Sequence, residues 1–261
     1  MVHTTSITAP ETRPIAAFDC DGTLSRKQLL GLLYPECYAI GMFPKLVNDE
    51  FARIDLEHRD RKISFDEFDR LTVGLFAQNI IGKRQEDLER AGKMVFEKHR
   101  DWLYIFTRTL LAKFRATHQC VAITGSVREV ISHVAPYWGF DHSYATVLEV
   151  GEDGCYTGRD KYVPVLNKQA AIQTHIAEIG GTLSGSLAIG DTVADIKMLQ
   201  AVERPIAFNP NTALAEVAEQ MEWPIVDERK DCIKVLNRGR YKIFSSAQAE
   251  AAVEYVLSLY V

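Results

Sequence analysis

Two aspartates separated by one residue follow a short apolar segment near the start of the chain. Segment 15–18 runs directly into Asp19, Cys20 and Asp21. A short continuous apolar run is typical of a strand buried in a parallel sheet, and ligands of such sheets bind at the carboxyl ends of the strands. Two carboxylates this close repel each other unless a cation separates them or one holds a proton. The pair is therefore a candidate reaction centre, although an isolated Asp-x-Asp is more often a surface turn.

Polar motifs also follow two later apolar segments: Thr124-Gly125 after segment 120–123, and Asp191 with Asp195 after segment 187–189. The carboxyl ends of parallel strands lie along one edge of a sheet, so we expect these residues to meet Asp19 and Asp21. Lys168 begins a predicted helix and can reach the same edge, with Lys161 as a nearby alternative. Each of these residues could instead be an ordinary polar residue at a solvated strand end or helix end, without a role in chemistry.

The chemistry of this set is that of phosphate esters. Clustered aspartate oxygens suit Mg²⁺, which prefers a few carboxylates plus waters. A lysine and free backbone N–H groups at a helix start suit a phosphate. An aspartate can itself attack phosphorus, and a second carboxylic acid can protonate the leaving oxygen and later deprotonate water. We expect Cys20 to point away from both aspartates and to pack as a small core residue.

Apolar strands alternate with helices after residue 118, which predicts an α/β fold with a doubly wound parallel sheet. The region after Leu24 is helical to about residue 117, so we predict a helical domain inserted after the first strand. The expected division is an α/β core of residues 15–24 and 105–228, a helical cap of 25–104, and a C-terminal extension of 229–261 that carries a helix. The basic stretch 229–242 is expected to be solvated surface, with a docking patch for an acidic partner as the alternative.

Local signals give more detailed expectations. Ser64 and Asn167 are predicted to cap helices, and Ser126 is predicted to open a third helix through a capping box. Pro35 is expected to divide the apolar stretch 27–42 into short helices. A helix over 85–99 and a terminal helix over 247–261 that packs on the core are also predicted.

Composition excludes several classes of protein. The 261 residues are 47% hydrophobic and 25% charged, as in a globular protein, and the net charge of −5 argues against a general nucleic-acid binder. No apolar run reaches membrane-spanning length, and residues 1–14 lack the apolar core of a signal peptide. The five cysteines are scattered singly, without a CxxC pair. We therefore expect a reduced cytoplasmic protein without disulfides, membrane insertion or a zinc site.

The ordered motifs resemble those of the haloacid-dehalogenase-like (HAD) superfamily of phosphohydrolases. Segment 19–23 is similar to the first motif, DxDGT; segment 123–125 is similar to the second, Lys168 to the third and segment 190–195 to the fourth. The insertion after the first motif resembles the helical cap of the phosphoserine-phosphatase-like branch. The resemblance covers roughly residues 15–226 and implies a Rossmann-like core with an inserted cap.

This resemblance implies a role for each residue. The implied catalytic roles are Asp19 as nucleophile and Asp21 as general acid and base. Thr124 and Gly125 are implied to bind the phosphoryl oxygens, and Lys168 to neutralise both Asp19 and the bound phosphate. The implied metal ligands are Asp19, the backbone carbonyl of Asp21, and Asp191, with Asp195 as a ligand or an orienting group. The implied cofactor is Mg²⁺, and the implied substrate is a small phosphorylated metabolite.

The sequence thus predicts a Mg²⁺-dependent phosphomonoester hydrolase that forms an aspartyl-phosphate. Two alternatives share its residues: a phosphotransferase or mutase, and a phospho-accepting signalling domain without hydrolysis. Phosphoserine phosphatases hold the substrate amine with an acid soon after the first motif, whereas here the first acid is Glu36. The resemblance therefore does not indicate phosphoserine as the substrate. Arg26 and Lys27 follow the motif instead, either on the surface or facing an anionic leaving group.

Overall fold

The structure is a computed structural model that describes residues 13–260. Within these residues the strands are β1 (Pro14–Phe18), β2 (Gln119–Val127), β3 (His142–Val150), β4 (Tyr156–Tyr162), β5 (Thr182–Gly190), β6 (Arg204–Phe208), β7 (Ile225–Arg229), β8 (Cys232–Asn237) and β9 (Arg240–Ser245). The helices are α1 (Leu29–Ala39), α2 (Lys45–Arg59), α3 (Phe65–Ile80), α4 (Gln85–His99), α5 (Ile105–Phe114), α6 (Arg128–Trp138), α7 (Lys168–Glu178), α8 (Ile196–Gln200), α9 (Thr212–Gln220) and α10 (Ala249–Ser258).

The strands form one sheet in the order β4-β3-β2-β1-β5-β6-β7-β8-β9. Strands β3, β2, β1, β5, β6 and β7 run parallel to one another. At the two edges, β4 pairs antiparallel with β3, β8 with β7, and β9 with β8. Strand β1 lies between β2 and β5, so the segments that follow these three strands emerge side by side. The sheet thereby brings the three predicted motifs to one edge.

Alternation along the buried strands sorts side chains onto two faces. In β1, Ala16 and Phe18 join the core that contains α5, α6, α10 and helices of the insertion, whereas Ile15 and Ala17 join the core beneath α7, α8 and α9. Helices therefore cover both faces of a mainly parallel sheet. This arrangement confirms the prediction of a doubly wound α/β fold.

Helices α1 to α4 lie between β1 and α5, as predicted, and we call residues 25–104 the helical insertion. The prediction for Pro35 was wrong, because α1 continues through it from Leu29 to Ala39. The side chains of Leu33, Tyr34 and Cys37 are buried around this proline. Their packing stabilises the helix enough to offset the backbone hydrogen bond that proline cannot donate.

The two ends of the insertion pair with each other at its junction with the sheet. Ser25 and Leu103 form an antiparallel bridge, and the N–H of Arg26 donates to the carbonyl of Trp102 at 2.9 Å. The Arg26 guanidinium donates to the buried carboxylate of Glu228 at 2.8 Å and lies over the ring of Tyr104. Arg26 is thus tied to the core at the end of β7.

Glu228 also holds the start of α5. Its two carboxylate oxygens accept from the N–H groups of Ile105 at 3.0 Å and Phe106 at 2.8 Å. Helix α5 has no side-chain cap from its own N-cap residue, Tyr104. A residue from another part of the chain therefore satisfies the free N–H groups that a local cap usually satisfies.

The C-terminal region contains two strands that were not predicted, since residues 232–245 form β8 and β9. Ile233 and Val235 are buried beneath α10, while basic side chains such as Arg240 and Lys242 are exposed. The terminal helix packs on the core through Val253 and Val256, as predicted. The expectation for residues 1–14 falls mostly outside the described part of the chain, as does Val261. No helix within residues 13–260 combines the length and apolarity needed to cross a bilayer.

Two predicted caps are present and one is not. The Ser64 hydroxyl accepts from the N–H of Glu67 at 3.2 Å, and the Asn167 side chain accepts from the N–H of Ala170 at 3.2 Å. The prediction for Ser126 was wrong: β2 continues to Val127, and α6 begins at Arg128 without a side-chain cap. The side chain of Ser126 is therefore available for another contact.

Gly92 allows the insertion to approach the core closely. A methyl group on Gly92 of α4 would overlap the backbone carbonyl of Glu129 in α6. We expect Gly92→Ala to lower the free energy of unfolding by about 1–3 kcal/mol, because overpacking forces backbone shifts. Urea denaturation followed by circular dichroism measures this change.

Gly74→Ala is the matched control, because it lies within helix α3 with nothing within 4 Å of the added methyl group. Alanine in this helix should raise the free energy of unfolding by about 0.5–1 kcal/mol. If Gly92→Ala were as stable as Gly74→Ala, α4 and α6 would not approach as closely as the structure shows.

Candidate active site

Lys168 joins two of the predicted acids. Its ammonium Nζ lies 2.5 Å from Oδ1 of Asp19, at the end of β1, and 2.6 Å from Oδ1 of Asp195 in the loop after β5. All three side chains are buried. The predicted third motif is therefore beside the first and the fourth, whereas the alternative Lys161 is exposed on β4.

The carboxylate of Asp195 fixes the loop after β5 through hydrogen bonds from the backbone of that loop. Oδ2 of Asp195 accepts from the N–H groups of Asp191 at 3.1 Å and Thr192 at 2.9 Å. The hydroxyl of Thr23, from the first motif, donates to Oδ1 of Asp191 at 3.0 Å. Both oxygens of Asp195 thus have donors, and Asp191 is turned toward the first motif.

Three carboxylates form a group that suits a hard cation. Asp19, Asp191 and Asp195 each offer one oxygen, and these oxygens all lie within 4.8 Å of one another. With Asp21 included, the site holds four buried or half-buried carboxylates, and within residues 13–260 one lysine, Lys168, pairs with two of them. Aspartate oxygens with excess negative charge are the ligands that Mg²⁺ takes in proteins, so these residues fit the predicted cofactor.

Asp21 is held in a separate environment. Its Oδ1 accepts from the N–H of Leu29 at 2.6 Å, and its Oδ2 accepts from the hydroxyls of Thr124 at 2.8 Å and Ser126 at 2.7 Å. Thr124 lies where it was predicted, but its hydroxyl donates to Asp21. The predicted Gly125 lies beside it, and its carbonyl accepts from Thr146. Asp21 is therefore fixed by donors from the insertion and from β2.

Burial dominates the acid–base properties of the site. It raises the pKa of Asp19 to about 7 against the lowering effect of Lys168, and it raises the pKa of Asp21 against the hydrogen bonds from Leu29, Ser126 and Thr124. It also raises the pKa of Asp191 well above its usual range, with help from the charges of Asp19 and Asp195. Burial acts to lower the pKa of Lys168, but Asp19 and Asp195 more than offset it. With a pKa of about 7, Asp19 is only partly ionised near neutral pH, and a cation bound beside it would favour the carboxylate.

Gly22 permits the close approach of the first and fourth motifs. Its φ is +82°, and a side chain there would collide with the carboxylate of Asp191. Cys20, two residues earlier, is fully buried in the same core as Ala16 and Phe18, as expected from strand alternation. The short turn therefore places two acids at the edge and the thiol in the interior.

Two contacts of the site were missed in the sequence. Ser126 was interpreted only as a helix cap, and Thr23 was noted within its motif without a role. A signal for Ser126 was present, since it lies two residues after Thr124 on the same strand and therefore on the same face. Thr23 had no such local signal, because its partner is 168 residues away in the chain.

Parts of the sequence are similar to known proteins. A 113-residue segment is 37% identical to the inhibition of morphological differentiation protein of Streptomyces azureus, covering 43% of this chain and 41% of that protein. A 117-residue segment is 29% identical to a histidinol-phosphatase of Neisseria meningitidis, covering 43% and 53% of the two chains. The chain thus spans about half the length of these relatives.

A solved structure supports the fold. The phospho-aspartyl intermediate analogue of phosphoserine phosphatase superposes with a TM-score of 0.53 at 21% identity, over 79% of this chain and 91% of that one. The model of the haloacid dehalogenase-like hydrolase family matches residues 16–200, which include every predicted site residue. With these motifs assembled at one sheet edge, the chain belongs to the haloacid dehalogenase-like hydrolase family.

Proposed function

We propose that this protein hydrolyses phosphate monoesters with Mg²⁺ through an aspartyl-phosphate on Asp19. The observation that carries the proposal is the placement of Asp19 between Lys168, at 2.5 Å, and the acid group with Asp191. The names of relatives support it, since one is a histidinol-phosphatase and the superposed structure is a phosphoserine phosphatase. Neither name fixes the substrate, which we take to be a small phosphorylated metabolite.

The proposed reaction has two steps on the same phosphorus atom. A carboxylate oxygen of Asp19 attacks phosphorus while the bond to the leaving oxygen breaks, and Asp21 gives its proton to that oxygen to form the alcohol. Asp21, now a carboxylate, then takes a proton from water as the water oxygen attacks phosphorus. The bond between phosphorus and the Asp19 oxygen breaks in this step, so inorganic phosphate leaves and the Asp19 carboxylate and the protonated Asp21 are restored.

The environments of the two acids suit these roles. Lys168 balances the charge of Asp19 and of the incoming phosphoryl group, while burial raises the pKa of Asp21 and favours the protonated acid. Asp19 and Asp191, with the backbone carbonyl of Asp21, would hold Mg²⁺, which supplies charge neutralisation at the phosphoryl oxygens. Asp195 would orient this group, since its own oxygens are already engaged.

We further propose that the helical insertion acts as a cap over the core residues 15–24 and 105–228, with 229–261 as an extension of the core. The insertion contributes the N–H of Leu29 to Asp21, so it reaches the reaction centre itself. A cap of this kind excludes water and selects the leaving group. The five unpaired cysteines support a reducing compartment, and we propose the cytoplasm.

Replacement of the nucleophile tests the mechanism. We expect turnover of an aryl phosphate with Mg²⁺, no detectable turnover with EDTA, and none for Asp19→Asn, because the amide cannot form the phosphoenzyme. Asp231→Asn, an exposed site away from these residues, is the control and should retain activity. Release of inorganic phosphate is the readout. Full activity of Asp19→Asn would exclude this mechanism, and transfer of phosphate to an added alcohol in place of its release would indicate a phosphotransferase.

Loss of the general acid should slow both steps. We expect Asp21→Asn to reduce kcat by about 10²–10⁴-fold, the usual contribution of a positioned acid or base. With a good leaving group the first step needs little acid, so the phosphoenzyme should accumulate and appear by mass spectrometry as one added phosphoryl group. A phosphoenzyme equally long-lived in the unaltered protein would indicate the phospho-accepting signalling domain.

The raised pKa of Asp19 predicts a pH-dependent response to Mg²⁺. Its value in the folded protein, about 7, lies above its usual 3.8, so without a cation Asp19 stabilises the fold below about pH 4 and loses this contribution as pH rises through about 7. Protons compete with Mg²⁺ in the same range. The rise in Tm on adding Mg²⁺ should therefore be larger at about pH 8 than at about pH 6, as measured by thermal denaturation. In Asp19→Asn this difference should become smaller, and the part that remains belongs to Asp191, whose pKa is also raised. An equal rise at both pH values in the unaltered protein would contradict the assignment.

A further inference from the structure

The cavity in front of the catalytic acids has a mainly apolar wall. Its volume is about 380 Å³, and it lies between the insertion and the carboxyl edge of the sheet. Helix α3 contributes Phe65, Val73, Phe76 and Ile80 to the lining. The leaving group of a substrate held at Asp19 would occupy this cavity.

One acid of the insertion interrupts the apolar wall. Asp69 of α3 is half-buried in the cavity lining, and its Oδ1 accepts from Nε2 of Gln28 at 2.7 Å. Among residues 13–260, no donor lies within hydrogen-bonding distance of its Oδ2. Burial raises the pKa of Asp69, and the charge of Asp21 raises it further. This half-buried carboxylate therefore keeps one oxygen open to the cavity, where it can accept a hydrogen bond from a ligand.

Gln28 belongs to the same small region. Its Oε1 is buried and has no hydrogen-bond partner among the described residues. It is the N-cap residue of α1, and the next residue, Leu29, donates its N–H to Asp21 at 2.6 Å. A single peptide therefore connects the Gln28–Asp69 pair to the proposed general acid. In a substrate bound at Asp19, the groups attached close to the leaving oxygen would contact this pair.

The cations at the edge of the cavity do not balance Asp69. The side chain of Arg70 is 70% exposed and lies 3.7 Å from Glu67, and that of Arg159 is 77% exposed and lies 2.7 Å from Glu149. Both guanidinium groups are near other acids and are solvated. The charge at the Gln28–Asp69 pair is therefore complementary to a cation on the substrate.

We propose that the Gln28–Asp69 pair binds a protonated amine on the leaving group, so that the substrate is the phosphate ester of a short amino alcohol with an otherwise apolar body. This inference rests on the proposed phosphatase function. A carboxylate next to the amine would face Asp69 without a close cation, so the esters of amino alcohols should be favoured over those of amino acids. The alternative is that Asp69 only orients Gln28.

A pair of probes of equal size separates these possibilities. O-Phosphoethanolamine and propyl phosphate differ by an ammonium in place of a methyl group. We expect kcat/KM to be higher for O-phosphoethanolamine by about 10–100-fold, the range expected for a charge-assisted hydrogen bond. O-Phosphoserine should fall below O-phosphoethanolamine. Equal kcat/KM for the first two probes, or a preference for O-phosphoserine, would overturn the inference.

Asp69→Asn should remove this preference while preserving the acceptor for Gln28. The ratio of the two kcat/KM values should fall by most of its 10–100-fold excess, about what one charged partner contributes. Glu67→Gln, an exposed acid on the same helix, is the control and should leave the ratio unchanged. A ratio unchanged in Asp69→Asn would show that Asp69 only orients Gln28.

A binding measurement keeps the two proposals distinguishable. In Asp19→Asn, calorimetry should give a lower Kd for O-phosphoethanolamine than for propyl phosphate, and the added Asp69→Asn change should make the two equal. If the unaltered protein hydrolyses an aryl phosphate but neither rates nor Kd values favour the amine, the amine site is wrong and the phosphatase function stands. If no ester is hydrolysed but the amine is bound selectively, the proposed function fails and the amine site stands.

Discussion

The structure depends on a concentration of buried negative charge around one lysine. Lys168 reaches Asp19 and Asp195 at the same time, and Asp195 in turn holds the loop that carries Asp191. Breaking such a buried ion pair leaves an uncompensated charge, which costs about 3–5 kcal/mol. The sheet supplies the rigidity that this arrangement needs, because β1 lies between β2 and β5 and sets the three motifs side by side. The excess negative charge that remains is the physical basis of the proposed Mg²⁺ site.

Most of the fold and the central residues of the site could be predicted. Each strand has a local apolar signal, and the topology of a parallel sheet then brings the strand ends together. Apolar segments that end in Asp19, Thr124 and Asp191 are strands by their own composition, and a parallel sheet necessarily aligns their carboxyl ends. Helix α4 was predicted with its observed ends because its apolar positions repeat regularly. The lysine was the least specific motif, and its assignment over Lys161 became clear only from the helix start that places it in the interior.

The features that were missed depend on partners far apart in the chain. Glu228 caps α5 and holds Arg26, and both contacts span more than 100 residues. Propensity predicted a break at Pro35, but burial on both sides of it decided the outcome. In β8 the alternation of Ile233 and Val235 was present in the sequence, although the basic residues between and around them pointed to solvated surface. Tertiary packing thus overrode the local signal at Pro35, whereas in β8 the alternation was a correct signal that was not used.

The same contacts suggest how chemistry and selectivity are divided between parts of the chain. In the proposed mechanism the core supplies the reacting groups, while α1 and α3 of the insertion would surround the leaving group with residues that include Leu29 and Asp69. The two parts do not vary independently, since Gly92 packs α4 against α6 and Glu228 fixes the junction of the insertion. The contact of Leu29 with Asp21 uses a backbone N–H, so side chains on α3 such as Asp69 can be exchanged without removing it. Selectivity can then change while the reaction stays the same.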